Sequence, residues 1–139
     1  KISEGGNSGV FWGVFENENY TLPYLTGPEI QILDNEGHPD SENKTHLTGS
    51  LFDMITPSEN VALPVGEWNT EEVYIKGSKI KITLNGEVIV DGDIAEASKN
   101  GTLDHKNHPG LKRDKGYIGF LGHGSELKFR NIRIKDLST

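Results

Sequence analysis

The sequence contains no cysteine, and this absence excludes two kinds of structure. Without thiols the chain has neither a disulfide framework nor a thiolate metal site. No apolar run approaches the about 20 residues that a membrane-spanning helix needs, so we expect no membrane insertion. Basic residues are also few, with 14 Lys and Arg against 21 Asp and Glu, and the net charge of -7 argues against a nucleic-acid partner.

The 139 residues are of a length typical for a single domain, and 33% of them are hydrophobic, which is enough to form a core. Asn85-Gly86 separates two segments of alternating character, Lys79–Leu84 and Glu87–Val90. This dipeptide indicates a hairpin, because both turn positions need positive φ. Since no helical pattern extends beyond one or two turns, we predict an all-β antiparallel sandwich or jelly roll.

Other segments have the length and composition of strands, and one long segment does not. Residues Ile94–Lys115 are polar and show little periodicity beyond one helical turn, and a loop of this length in a compact domain is expected to be functional or mobile. Further strands are predicted over Val10–Phe15, Gly49–Ile55, Gly116–Gly124 and Glu126–Leu137, with a bulge near Arg130-Asn131 where the apolar positions change parity.

Two polar side chains alternate with isoleucines on the strand that follows Pro28. Successive residues of a strand point to opposite faces, so Ile30 and Ile32 share one face while Glu29 and Gln31 share the other, roughly 7 Å apart. The isoleucine face is predicted to be core. The polar face either binds neighbouring groups of one small polar ligand or is simply solvated.

A histidine and a tryptophan are further candidates for ligand contact. Alternation along Gly116–Gly124 places Leu121 and His123 on the same face, and the glycines beside His123 leave its ring accessible. Trp12 either stacks on a sugar ring or belongs to the core. His38 and His46 lie in a polar loop without the spacing typical of metal ligands.

Six short motifs occur in the order and approximate spacing of one known family. They are Asn7–Phe11, Pro28–Asn35, Gly66–Thr70, Leu84–Gly86, Gly119–Gly124 and Phe129–Ile134. On these motifs the whole chain resembles the 3-keto-disaccharide hydrolase family, long described as a domain of unknown function with a concanavalin A-like jelly roll. The resemblance implies a carbohydrate ligand and a secreted, periplasmic or cell-surface location.

The resemblance also implies a mechanism. A ketone at carbon 3 of a sugar acidifies the hydrogens on neighbouring carbons, so the glycosidic bond can break by proton abstraction and β-elimination. Such a site needs a base, an acid and a donor or cation for the enolate oxygen. The catalytic candidates are Glu29 and His123, Glu29 being alternatively a metal ligand. The substrate-binding candidates are Gln31, Asn7, Asp34, Trp12 and Arg130. No cofactor is certain, although a divalent metal is an option.

The chain departs from the family pattern at two points. Leu121-Gly122-His123-Gly124 stands where the family usually has Gln-Asp-His-Gly, which puts full activity in doubt. Lys1 also corresponds to a position inside the family's domain. We therefore expect residues 1–139 to be a single, N-terminally truncated domain, whose open sheet is completed by a missing N-terminal segment or by a homo-oligomer.

Two other classes of function stay open from the residues alone. A conventional glycosidase needs two carboxyl groups that flank the scissile bond, and Glu29 has no evident partner in the sequence. A non-catalytic carbohydrate-binding module would depend more on aromatic side chains such as Trp12, Tyr20 and Tyr24.

Overall fold

The computed structural model describes residues 1–137. Short strands are joined by longer irregular segments. The elements are β1 (Asn7–Val14), α1 (Pro23–Thr26), β2 (Glu29–Leu33), β3 (Glu71–Lys76), β4 (Lys79–Leu84), β5 (Glu87–Asp93), α2 (Ile94–Ser98) and β6 (Tyr117–Gly122), with 3-10 turns at Pro39–Glu42, Lys44–His46 and Pro109–Lys112.

The strands form two antiparallel sheets of three strands each. One sheet has the order β2-β1-β6 and the other has the order β3-β4-β5. In the first sheet Gly9 of β1 lies opposite Gln31 on one side and opposite Leu121 on the other. The predicted all-β antiparallel fold is confirmed, while its description as a concanavalin A-like jelly roll stays a prediction.

The core is a cluster of buried apolar side chains from β2, β4, β5 and the segments beside them. Ile80, Ile82 and Leu84 alternate along β4 as predicted and are each at most 1% exposed, as is Ile30 of β2. Burial of one such side chain contributes about 1.5 to 3 kcal/mol. The buried cluster consists of Ile30, Leu51, Ile80, Ile82, Leu84, Ile89, Val90 and Ile94.

The connection between β4 and β5 is the predicted two-residue turn. Asn85 and Gly86 both have positive φ, 52° and 91°. The Asn85 side chain also holds the preceding segment, since its Oδ1 accepts a hydrogen bond from the Thr70 backbone N–H at 2.9 Å and its Nδ2 donates to the Val61 carbonyl at 2.8 Å. The turn therefore joins local backbone preference to a longer-range contact.

The strand predicted over Gly49–Ile55 is wrong. Leu51 makes isolated bridges to Ile30 and Ile55. The chain from Leu51 to Ile55 forms a turn instead of an extended strand. The backbone N–H of Met54 donates to the Leu51 carbonyl at 3.0 Å, and Asp53 has a φ of 55°. The tight turn leaves no run of residues that could pair continuously with a neighbouring strand.

The strand predicted over Glu126–Leu137 is also wrong. Leu127 bridges to Ile2 and Lys128 exchanges backbone hydrogen bonds with Lys1 at 3.1 and 2.7 Å, but within the described part of the chain none of the residues after Leu127 is in a strand. Asn131 lies at the predicted change of parity and has a left-handed φ of 55°. A strand needs a partner along its length, and β1 already pairs with β2 and β6 on its two sides.

Part of the apolar surface of β6 is uncovered. Ile118 and Phe120 are 53% and 42% exposed, and the Phe120 ring lies 4.3 Å from that of Phe129. Ile118 and Phe120 alternate with Leu121 along the strand, so both lie on one face of β6, and that face is exposed. None of the helices within residues 1–137 has the length and hydrophobicity that crossing a membrane requires.

Candidate functional site

A cavity of about 260 Å³ lies against the face of the β2-β1-β6 sheet that carries the odd-numbered side chains of β2. Its walls combine strand residues with residues from the irregular segments. The lining residues are Asn7, Tyr24, Glu29, Gln31, Asp40, His46, Phe52, Asp53, Lys106, Leu121 and His123.

Four of the predicted site residues meet at this cavity. Glu29 and Gln31 reach it from β2 and Asn7 from β1, while His123 follows the end of β6 by one residue. The strand register explains the meeting, because β1 lies between β2 and β6 and successive residues alternate between faces. Residues 7, 29, 31 and 123, distant in sequence, thus share one site.

Glu29 is the most strongly perturbed group of this site. It is 2% exposed, and no hydrogen bond within residues 1–137 reaches its carboxyl group. Burial, followed by the negative charge of Asp53, raises the pKa of Glu29 from 4.5 to about 8. At neutral pH its side chain is therefore mainly the uncharged acid, which can donate a proton.

Gly9 makes the space that the Glu29 carboxyl group occupies. A Cβ atom at Gly9 would lie 2.7 Å from Cδ and Cγ of Glu29, and closer still to Oε1. Because such contacts are shorter than van der Waals separation, an added methyl group would force the buried Glu29 side chain to move. The missing side chain of the central strand therefore allows Glu29 to lie flat on the sheet.

Gln31 and Asn7 form a fixed pair of amides beside Glu29. Gln31 is 2% exposed, and its Nε2 donates to Asn7 Oδ1 at 2.9 Å. This bond directs the Asn7 Nδ2 group away from Gln31, and within residues 1–137 no hydrogen bond uses it. The His123 ring is exposed and likewise has no hydrogen-bond partner in this range. Both groups are available to a ligand.

Three predicted substrate-binding residues lie outside this cavity, and their role in binding substrate stays a prediction. The Asp34 carboxylate accepts backbone hydrogen bonds from Gly5 and Gly37, each at 2.9 Å, and these bonds lower its pKa against the opposing effect of burial. Trp12 packs against the core and lines a different cavity. The guanidinium carbon Cζ of Arg130 lies over the Trp68 ring, 3.8 Å from the ring centre.

A histidine and aspartate pair in the cavity wall was not predicted from the sequence. His46 Nε2 and Asp53 Oδ1 are 2.9 Å apart, while the Thr45 hydroxyl donates to Asn43 Oδ1 at 2.8 Å and lies 3.4 Å from Asp53 Oδ1. The His46 ring stacks on Phe52 with centroids 4.3 Å apart. The available sequence signal was Asp53 within Gly49–Ile55. Aspartate adopts left-handed backbone more readily than most residues and therefore favours a turn at this position.

A lysine and a tyrosine from two further segments complete the wall. Lys106 Nζ donates to the Tyr24 hydroxyl at 2.6 Å and lies 5.3 Å from the centre of the Tyr24 ring. The Tyr24 backbone carbonyl is 3.0 Å from His108 Nδ1, while His108 Nε2 is 2.9 Å from the Asp104 carboxylate. The long polar loop predicted to be functional or mobile thus reaches the site through Lys106.

Within residues 1–137, no group of three or more His, Asp or Glu side chains is placed to hold a metal ion. The divalent metal considered from the sequence therefore has no ready three-residue site in this part of the chain. The cavity contains a neutral carboxylic acid, an accessible imidazole, a pair of amides and an ammonium group, which belong to Glu29, His123, Gln31 with Asn7, and Lys106 respectively. These groups can exchange protons and bind the oxygens of a polar ligand.

The fold places the chain in a class of β-sandwich proteins of known structure. A protein described as a candidate glycosyl hydrolase from Parabacteroides distasonis ATCC 8503 aligns with a TM-score of 0.78 and 28% identity, over 90% of this chain and 61% of that one. A second structure from the same organism aligns with a TM-score of 0.71 and 24% identity, over 89% and 67% of the two chains, and supports the fold alone.

The sequence narrows this class to one family. Residues 1–135 match the 3-keto-alpha-glucoside-1,2-lyase-like domain, and the chain belongs to this family. A 3-keto-disaccharide hydrolase from Bacteroides thetaiotaomicron is 32% identical over 162 residues, which cover 99% of this chain and 56% of that protein. The chain thus spans little more than half the length of this relative. The family resemblance drawn from the motifs is confirmed.

Proposed function

We propose that this protein cleaves the glycosidic bond of 3-keto-disaccharides or related keto-glycosides by proton abstraction and elimination. The observation that carries the proposal is the cavity in which a neutral, buried Glu29 and an accessible His123 meet. One group can give a proton at neutral pH and the other can take one. Family membership and the name of the Bacteroides relative support the choice of a keto-sugar.

The first steps use these two groups in turn. His123 takes the proton from carbon 2, and the C–H electron pair becomes the C2=C3 double bond of an enolate. When the ketone re-forms, that pair moves to C1=C2 and the bond from carbon 1 to the glycosidic oxygen breaks. Glu29 gives its proton to the departing oxygen, so an enone and a free sugar hydroxyl result.

Water then completes the cleavage. Its hydroxyl group adds to carbon 1 of the enone and its remaining proton restores Glu29, while His123 returns its proton to carbon 2. The net change is hydrolysis, and both residues end in their starting states. The Asn7 amide, directed by Gln31, is placed to hold a sugar hydroxyl during these steps.

A conventional two-carboxylate glycosidase is the second candidate, and two observations on Asp53 support it as the partner carboxylate of Glu29. Asp53 lines the same cavity, and its charge contributes to the raised pKa of Glu29. An acid kept neutral beside an ionised carboxylate is the pattern that such enzymes use. Against it, Asp53 Oδ1 is already engaged by His46 Nε2 at 2.9 Å.

Parallel assays of a 3-keto-disaccharide and the same unoxidised disaccharide test the proposal. We expect cleavage of the keto-sugar alone, a large loss of rate in Glu29→Gln and in His123→Ala, and little change in Glu71→Gln. Glu71 is a matched control because burial raises its pKa to about 7 although it lies on β3, outside the cavity. The rate should also fall above about pH 8 as Glu29 loses its proton. Cleavage of the unoxidised sugar favours the conventional glycosidase, and binding without cleavage of either favours a binding module.

A further inference from the structure

Lys106 has surroundings that a merely solvated lysine does not have. It is the one Lys or Arg side chain among the cavity-lining residues of the described range, in a wall that also contains Glu29, Asp40 and Asp53. Within residues 1–137 its ammonium group forms no ion pair with a carboxylate and instead donates to the Tyr24 hydroxyl at 2.6 Å. An exposed lysine usually leaves its flexible side chain in water, so this contact calls for a reason.

The position of the ammonium group is held from several sides. Tyr24 supports it through the hydroxyl group and through the ring face, 5.3 Å below Nζ. Tyr24 in turn packs on Phe52 with ring centroids 5.4 Å apart. The Tyr24 backbone carbonyl is within hydrogen-bond distance, 3.0 Å, of Nδ1 of the buried His108. An ammonium group has three donors, so two remain free after the bond to Tyr24.

We propose that Lys106 binds the ketone oxygen of the sugar and stabilises the negative charge that develops there when the enolate forms, with Tyr24 as the residue that positions it. This inference rests on the proposed function, and it supplies a cation for the enolate oxygen, which Glu29, His123 and the amide pair do not provide.

Lys106 acts here as a charge rather than as a nucleophile. The hydrogen bond to Tyr24 and the surrounding charges raise its pKa, so it carries its proton throughout the neutral range. A protonated amine has no free electron pair with which to form an imine with the ketone. No covalent bond between Lys106 and the sugar therefore forms, and the ammonium group is unchanged after each turnover.

The test uses the absence of natural cysteine. In Lys106→Cys the introduced thiol is the only one in residues 1–139, so 2-bromoethylamine can rebuild an ammonium group of nearly the same length at that position alone. Iodoacetamide gives a neutral adduct at the same position as the control. We expect Lys106→Met and Lys106→Cys to lose about 10-fold in kcat on a 3-keto-disaccharide, less than for a donor in a closed site because Lys106 is exposed and solvent screens its charge. Aminoethylation should restore most of that loss, and the neutral adduct none.

Further variants separate this inference from a structural role and from the proposed function. Lys115→Met removes an exposed charge from the same polar segment and should keep the wild-type rate. Tyr24→Phe should show a smaller loss in kcat. If the wild-type protein cleaves the keto-sugar and Lys106→Met does so within about twofold, Lys106 has no such role while the proposed function stands. If the wild type leaves the keto-sugar intact, both proposals fall. Trapping of an imine at Lys106 by borohydride would also overturn the electrostatic role.

Discussion

Replacing Glu29 by glutamine should abolish a large pH dependence of the free energy of unfolding. The pKa of Glu29 rises from 4.5 to about 8 on folding, so the folded state holds this proton more tightly. The stabilisation is fully present below pH 4.5 and is lost as the pH rises toward and past 8. At about 1.36 kcal/mol per pKa unit, the whole effect is about 5 kcal/mol, of which about 4 kcal/mol falls between pH 5 and 8.5.

Urea unfolding of the wild type and Glu29→Gln at several pH values from 5 to 8.5 measures this effect. The stability of the wild type relative to the variant should fall by about 4 kcal/mol across that range, because glutamine cannot ionise. Glu71→Gln is the control, since it removes a second carboxyl group with a raised pKa but leaves Glu29 in place. Parallel curves for the wild type and Glu29→Gln would refute the reasoning, as they would mean that Glu29 is not forced to give up its charge on folding.

Three other substitutions, one of them paired with a control variant, test the packing near the site and the substrate contacts of the cavity wall. Gly9→Ala should destabilise the protein by about 1 to 3 kcal/mol and impair cleavage, because the new methyl group would lie 2.7 Å from Cδ of Glu29. Gly122→Ala on β6 is its control, since an added Cβ there meets nothing within 4 Å, and urea midpoints compare the two. Ile82→Ala should lower the free energy of unfolding by about 2 to 5 kcal/mol, because Ile82 is 0% exposed, and an unchanged midpoint would contradict the assigned core. Leu121→Gln puts a polar group into the cavity wall and should alter KM for the sugar more than stability, whereas equal KM values would place Leu121 outside the substrate contacts.

The sequence by itself determined those structural features that depend only on residues close together along the chain. The Asn85-Gly86 turn was predictable because its dihedral angles are specific to few residue types, and both angles are positive as expected. The alternation of Ile30 with Glu29 and Gln31 was predictable because a strand has a period of two, and Ile30 is in the core while the polar pair lines the cavity. The same reasoning failed for Gly49–Ile55, since apolar content does not distinguish a strand from a tight turn.

Tertiary structure decided which polar residues share the site and what charge they carry. Asp53, His46 and Lys106 come from segments without periodicity, and no local rule predicts that they reach the cavity formed by β1, β2 and β6. The sequence also left open whether the Glu29 carboxyl group is solvated. The burial of this carboxyl group depends on the strand register that places Gly9 beside Glu29, and its raised pKa also depends on the turn that brings Asp53 near. Both contacts join residues that are distant along the chain.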